Sequence, residues 1–163
     1  EERNRAELAQ YLAERRRLVG ETDNLAALKP PTASNVSDLP GQGLHHVGWV
    51  PDYATDARAA TYWGADYAPQ WLMVDLGEPH RIGRIVVVNF ADGTRWYRYR
   101  LEVSADGEVW ASVADKSDKS VATEAGDEHI IEPVVARYVR VVVLHNSANI
   151  GVHVGELEVY AAK

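Results

Sequence analysis

In Tyr97-Arg98-Tyr99-Arg100-Leu101-Glu102-Val103-Ser104-Ala105-Asp106-Gly107-Glu108-Val109-Trp110, apolar and polar side chains alternate up to Ser104, and an Asp-Gly pair follows. A period of two places alternate residues on opposite faces of a β-strand. Tyr97, Tyr99, Leu101 and Val103 therefore face inward, while Arg98, Arg100 and Glu102 face out. Asp106-Gly107 predicts a hairpin turn into a second strand near 108–114. The same period recurs at 138–143, where Val139, Val141 and Val143 alternate with Tyr138, Arg140 and Val142, and at 156–161. Further strands are expected near 71–75, 82–90 and 128–132, with turns at Asp92-Gly93 and Gly126-Asp127. No helical pattern separates the strands, which excludes a parallel sheet. The expected fold class is all-β: an antiparallel jelly-roll β-sandwich of about eight strands, preceded by one N-terminal α-helix.

The length of 163 residues suits one domain with an appendage. A 46% apolar and 25% charged composition is globular. No apolar run reaches the ~18 residues of a bilayer span, so no membrane span is expected. A net charge of −7 disfavours phosphate backbones, so no nucleic acid is expected as a partner. The absence of cysteine excludes a thiol nucleophile, a thiolate zinc site and a disulfide scaffold.

Residues 1–19 differ from the rest: they are rich in Glu and Arg and contain neither Gly nor Pro. Leu8, Tyr11, Leu12, Arg15, Leu18 and Val19 recur at helical spacings, predicting an amphipathic helix about 28 Å long. Gly20 stops it. The chain thus divides into 1–20, a helix or linker from an upstream domain, and 21–163, the β-sandwich. It opens on Glu1 without a signal peptide and is read as a piece of a longer protein.

Seven signatures stand in order. Asn24-Leu25-Ala26 with Lys29-Pro30-Pro31-Thr32-Ala33-Ser34 comes first, then Ala54-Thr55-Asp56 with Thr61 and Trp63. Trp71-Leu72-Met73-Val74-Asp75-Leu76-Gly77, Ile82-Gly83-Arg84-Ile85-Val86-Val87 and Ser104-Ala105-Asp106-Gly107-Glu108-Val109-Trp110 follow. Ala136-Arg137-Tyr138-Val139-Arg140-Val141 and Gly155-Glu156-Leu157-Glu158-Val159-Tyr160 end the series. Over 24–161 the chain resembles the discoidin superfamily, or coagulation-factor type C domain, and within it bacterial carbohydrate-binding module family 32.

That resemblance implies ligand binding by loops at one end of the sandwich, and 35–52, 64–70, 90–96 and 145–153 are the long connections here. It also implies a structural calcium ion (Ca2+). The matching ligands are the side chains of Asp56, Thr61 and Glu156 and the carbonyls of Tyr53, Arg58, Thr61 and Gly155. Calcium takes six to eight oxygens, roughly, and carbonyls supply them without adding charge. Ala57 stands where the family often has glycine.

Sugar recognition needs an aromatic face and planar polar groups together. Tyr67 lies in the loop where galactose-binding members place a stacking ring, and Arg95 and Trp96 lie in the turn after Phe90. Asp66, Asp92, His145, Asn146 and Asn149 complete the candidate ligand set, with His153, His45, His46 and Trp49 in nearby loops. Gly64 occupies the place of the histidine that galactose-binding members carry after the first Trp, so plain galactose specificity is not expected. Trp63, Trp71 and Trp110 are expected in or against the core, and Arg98 and Arg100 on a solvated face. A cluster of Arg95, Arg98 and Arg100 would favour an anionic glycan.

No phosphate loop, nucleophile elbow or His-Glu-x-x-His pattern is present. The expected function is a non-catalytic carbohydrate-binding module, secreted by a bacterium, monomeric, and tethering an upstream catalytic domain of the same chain to a glycan. The alternative is an adhesion module that binds a protein or an anionic lipid through the same loops.

Overall fold

The computed structural model describes residues 2–37 and 44–163; the middle of the 35–52 connection, 38–43, lies outside the described residues. Helix α1 spans Glu2–Val19. Among the described residues eight strands follow: β1 Thr32–Ala33, β2 Trp63–Ala65, β3 Gln70–Val88, β4 Tyr97–Ser104, β5 Ala111–Lys116, β6 Asp127–Asn146, β7 Val152–Val154 and β8 Glu156–Ala161. Every pairing among them is antiparallel. The chain is an all-β sandwich with one N-terminal helix, as the periodicity requires.

The sequence suggests separate strands at 71–75 and 82–90, and at 128–132 and 138–143. They are halves of the long strands β3 and β6, which run through both layers. The first half of β3 pairs with the second half of β6 and the second half of β3 with the first, with register shifts between Asp75 and His80 and between Ile82 and Arg84. Gly77 and Pro79 fall in the first shift and Pro133 opposite the second. Proline donates no ladder bond, so strands bend or bulge there. One layer reads β1-β3-β6-β4-β5; in the other, β8 takes the far side of β3. β2 and β7 form a small ribbon, Trp63 opposite Val154.

The Asp106-Gly107 turn is wider than expected. β5 begins at Ala111, opposite Val103. The Ser104 hydroxyl oxygen accepts the amides of Asp106 (3.2 Å) and Gly107 (2.8 Å), and Asp106 Oδ1 accepts those of Glu108 (2.9 Å) and Val109 (3.0 Å). Local side-chain acceptors thus take the amides a ladder would have used.

The core joins both layers. Trp63, Tyr97, Tyr99, Leu72, Leu101, Ile82, Ile85 and Leu157 are fully buried, and Arg98 is exposed, as the alternation predicts, but Arg100 is half-buried and Glu102 is buried, accepting from Arg140 Nε at 2.7 Å. Trp71 and Trp110 are half-buried. Two of the signatures are structural ties. Asn24 Oδ1 accepts the amides of Ala26 (3.1 Å) and Val159 (3.0 Å), pinning the domain's opening to β8. Arg137 donates through Nε and Nη2 to the two oxygens of Asp75 at 2.8 and 2.9 Å. No helix among the described residues is long and apolar enough to cross a membrane.

Candidate functional site

Two features lie among the candidate residues: an oxygen-rich pocket beside β8, and a groove on the loop rim whose lining includes Asp66 alone of the expected ligand set. The pocket forms because the segment after the 3-10 turn Pro51–Ala54 folds back onto the start of β8. Asp56 and Glu156 are both buried. The amide of Arg58 donates to both, at 3.1 Å to Asp56 Oδ1 and 3.0 Å to Glu156 Oε1. The Thr61 hydroxyl lies 2.5 Å from Asp56 Oδ2 and 3.0 Å from the Arg58 carbonyl. Glu156 Oε2 is buried with no hydrogen-bond partner. Burial first, then the Asp56 carboxylate beside it, push the Glu156 carboxyl well above its ordinary range.

Carbonyls crowd the same place. A β-carbon on Gly155 would lie 3.1 Å from the Ala59 carbonyl oxygen and 3.5 Å from that of Thr61, so a side chain there would press on the Ala59 carbonyl. An open cavity of ≈ 310 Å³ adjoins, lined in part by Glu124, Glu156 and Glu158. Among the described residues no three His, Cys, Asp or Glu side chains gather as a metal site. The donor set is instead two carboxylates, a hydroxyl and carbonyls, which is oxygen chemistry for a hard cation. The orphaned Oε2 and the adjacent buried carboxylates fit such an ion.

The groove lies on the rim by β2 and β7. Trp49, Tyr62, Gly64, Asp66, Gly151 and His153 line its ≈ 240 Å³. Trp49 and Tyr62 lie parallel, centroids 6.3 Å apart at 11°. Tyr62 meets His153 edge-on at 5.4 Å and Phe90 at 5.4 Å. A β-carbon at Gly64 would approach Trp49 Cβ to 3.1 Å, so Trp49 fills the space the missing histidine would need. The His153 ring is fixed by Tyr97, whose hydroxyl is 2.8 Å from Nδ1. Burial, then the Arg95 charge, lower the His153 pKa to about 4, so the ring is neutral at pH 7.

The rim distributes the other expected ligand residues unevenly. Asp66 lines the groove, whereas Tyr67, the next residue, is 57% exposed and lies outside the groove's lining. Asp92 and Arg95 bind each other, Arg95 Nε donating to Asp92 Oδ2 at 2.9 Å, and the guanidinium carbon lies 4.8 Å from the centre of the Phe90 ring. The amides of Arg95 and Thr94, with that guanidinium, hold the Asp92 carboxyl well below the usual range. Trp96 is flanked by the His145 ring at 4.9 Å, Arg98 at 5.2 Å and Lys119 at 5.7 Å. Asn146 is buried, its amide nitrogen donating to Asn149 Oδ1 (3.0 Å) and the Gly151 carbonyl (2.9 Å), and Asn149 Oδ1 also accepts the Gly151 amide at 2.8 Å. These asparagines shape the loop that leads into β7. Arg95, Arg98 and Arg100 do not share one site: they engage Asp92, Trp96 and Glu102 respectively.

Sequence reasoning passed over Tyr62 and gave Trp49 and His153 minor places. The available signal was the run Tyr62-Trp63 before β2: with Trp63 turned inward, its neighbour turns to the rim.

A sandwich whose loops form an open rim with aromatic walls defines a binding domain. The sequence model of the F5/8 type C domain family matches residues 32–155, and the chain belongs to that family. The structure is similar to the carbohydrate-binding module family 32 domain of AlyQ, solved in complex with 4,5-unsaturated mannuronic acid (TM-score 0.70, 21% identity, 81% of this chain and 94% of that chain). At that identity the likeness speaks for the fold. It is also similar to chitosan-binding module 2 of a chitosanase/glucanase from Paenibacillus sp. IK-5, solved with chitotriose (TM-score 0.68, 26% identity, 85% and 100% covered). A polysaccharide lyase 8 family protein, HylA of Enterococcus faecalis, is 36% identical over 74 residues, 45% of this chain; the match spans 5% of that protein's length.

Proposed function

We propose that the chain is a non-catalytic carbohydrate-binding module that holds a saccharide in the rim groove and tethers an enzyme of the same polypeptide to its substrate. The observation that carries this is the groove itself: the parallel Trp49 and Tyr62 rings meet the Asp66 carboxylate and the neutral His153 ring in one concavity. Ring faces stack on the apolar face of a pyranose, and Asp66 and His153 offer hydrogen bonds to hydroxyls. Trp96 offers less, because a ring and two cations already flank it.

The groove's charge selects the sugar class. Asp66 is its acidic group, and the nearby Arg95 is spent on Asp92. Neutral or amino-bearing sugars suit it better than uronates, and the chitotriose-bound neighbour is consistent with that class. A shallow site with one stacking platform yields about −4 to −6 kcal/mol, a dissociation constant from ~1 mM to tens of micromolar.

The oxygen-rich pocket is proposed to hold a structural calcium ion, ligated by Asp56, Thr61 and Glu156 and by neighbouring carbonyls. The orphaned Glu156 Oε2 supports this assignment. The ion would supply positive charge that relieves the buried carboxylates and fixes the loop before β2. The test of the function is a glycan screen with and without calcium that includes chitosan, neutral and uronate oligosaccharides. Binding of the first two classes is expected; binding of uronates alone, or of no glycan, would contradict the reading.

A further inference from the structure

Helix α1 reaches the cation pocket. It buries no residue of its own, yet Tyr11 and Arg15, one turn apart, both contact the ligating loop. The Tyr11 hydroxyl donates to Asp56 Oδ2 at 2.8 Å. Arg15 donates through Nε to the Asp56 carbonyl at 3.0 Å and through Nη2 to the Ala57 carbonyl at 2.9 Å. Ala57 has φ +60°, the left-handed region that disfavours a side chain. The loop therefore carries strain at its turn, and Arg15 holds the carbonyls on both sides of the Asp56–Ala57 peptide's turn.

We propose that α1 is a positioning element of the cation site: Tyr11 and Arg15 hold the Asp56 loop in its ligating shape, so cation binding and helix docking favour each other. The inference rests on the calcium assignment above. Arg15 uses carbonyls outside the expected ligand set, and leaves the carboxylate to Tyr11, Thr61 and the Arg58 amide. Tyr11 and Thr61 both donate to Asp56 Oδ2, whereas Asp56 Oδ1 accepts the Arg58 amide and keeps a second lone pair with which it can meet an ion. Partners that orient metal ligands without touching the metal are worth about 10–100-fold in affinity. Because α1 has no buried residue, and most helical stability in proteins comes from packing an amphipathic face, its docking responds to the loop. Linkage then makes the coupling reciprocal.

The experiment titrates calcium into the full chain by calorimetry, for wild type, Tyr11→Phe, Arg15→Ala, Ala57→Gly and Arg15→Ala with Ala57→Gly. Hydrogen exchange of the α1 amides is followed with and without calcium. Each of the first two substitutions should weaken calcium about ten-fold, and Ala57→Gly should restore most of the loss from Arg15→Ala by removing the strain. Calcium should slow α1 exchange in wild type and much less in Tyr11→Phe. Both altered side chains lie on a helix with no buried residue, so the sandwich folds without them. Unchanged or tighter calcium binding in Tyr11→Phe and Arg15→Ala, or α1 exchange indifferent to calcium, would overturn the coupling alone. A wild-type chain that binds no calcium would overturn the cation assignment and the coupling with it.

Discussion

The Tyr97 hydroxyl and His153 Nδ1 meet at 2.8 Å, joining the centre of one layer to the wall of the rim groove. Tyr97 is fully buried on β4, and His153 sits on the short strand β7. Asn89 Nδ2 donates to the His153 carbonyl at 2.9 Å. The groove's histidine is therefore set by the core rather than by its own loop. Tyr97→Phe should cost about 1–3 kcal/mol, the penalty of a buried polar atom left unpaired. It should also weaken glycan binding several-fold, because the ring is no longer fixed. Denaturant unfolding and a glycan titration of the same variant check both parts.

The buried carboxylates predict opposite effects of one substitution with and without calcium. Glu156→Gln removes a charge held beside Asp56, so without metal the variant should melt at or above wild type. Saturating calcium at ~100 times the dissociation constant should stabilise wild type by about 2.7 kcal/mol, or roughly 5–10 °C in melting temperature for a domain of this size. Glu156→Gln should gain little. Thermal melts with chelator and with calcium test this, and equal calcium gains in both proteins would remove Glu156 from the ligand set.

His129 predicts acid sensitivity. Its Nε2 lies 2.6 Å from the Tyr99 hydroxyl. Burial raises the Tyr99 pKa, so Tyr99 keeps its proton and is the donor. Burial likewise lowers the His129 pKa below 6.5, against a smaller opposing pull from Asp127. The unfolded chain therefore takes up this proton first as pH falls, and stability declines below about pH 6.5. His129→Gln keeps an acceptor for Tyr99 without titrating. Its stability between pH 7.5 and 5 should fall less than that of wild type, as denaturant midpoints would show.

Much of this architecture is readable from period and punctuation. Alternation at 97–104 names the buried tyrosines, and the signatures around Asn24, Asp75 and Arg137 mark ties that the structure contains. Strand continuity is not readable in this way. Pro79 and Pro133 lie within β3 and β6, which continue past them with a register shift at each place. The pocket residues Asp56, Thr61 and Glu156 could be named from the sequence only through the family resemblance, and the structure brings the three side chains together. The groove could not, since Trp49, Tyr62 and His153 are brought together by the β2–β7 pairing and by the Gly64 amide, which donates to the Trp49 carbonyl at 3.0 Å. Nor does the sequence show that Asp92 and Arg95 neutralise each other, a contact set by the 92–95 turn.

The most direct test of the saccharide groove is a calorimetric titration of chitotriose and neutral oligosaccharides into wild type, Trp49→Ala and Trp96→Ala. Wild type should bind with a dissociation constant between ~1 mM and tens of micromolar. Trp49→Ala should lose at least ten-fold while the sandwich stays folded, and Trp96→Ala should change little. Full binding by Trp49→Ala, with loss in Trp96→Ala, would contradict the groove.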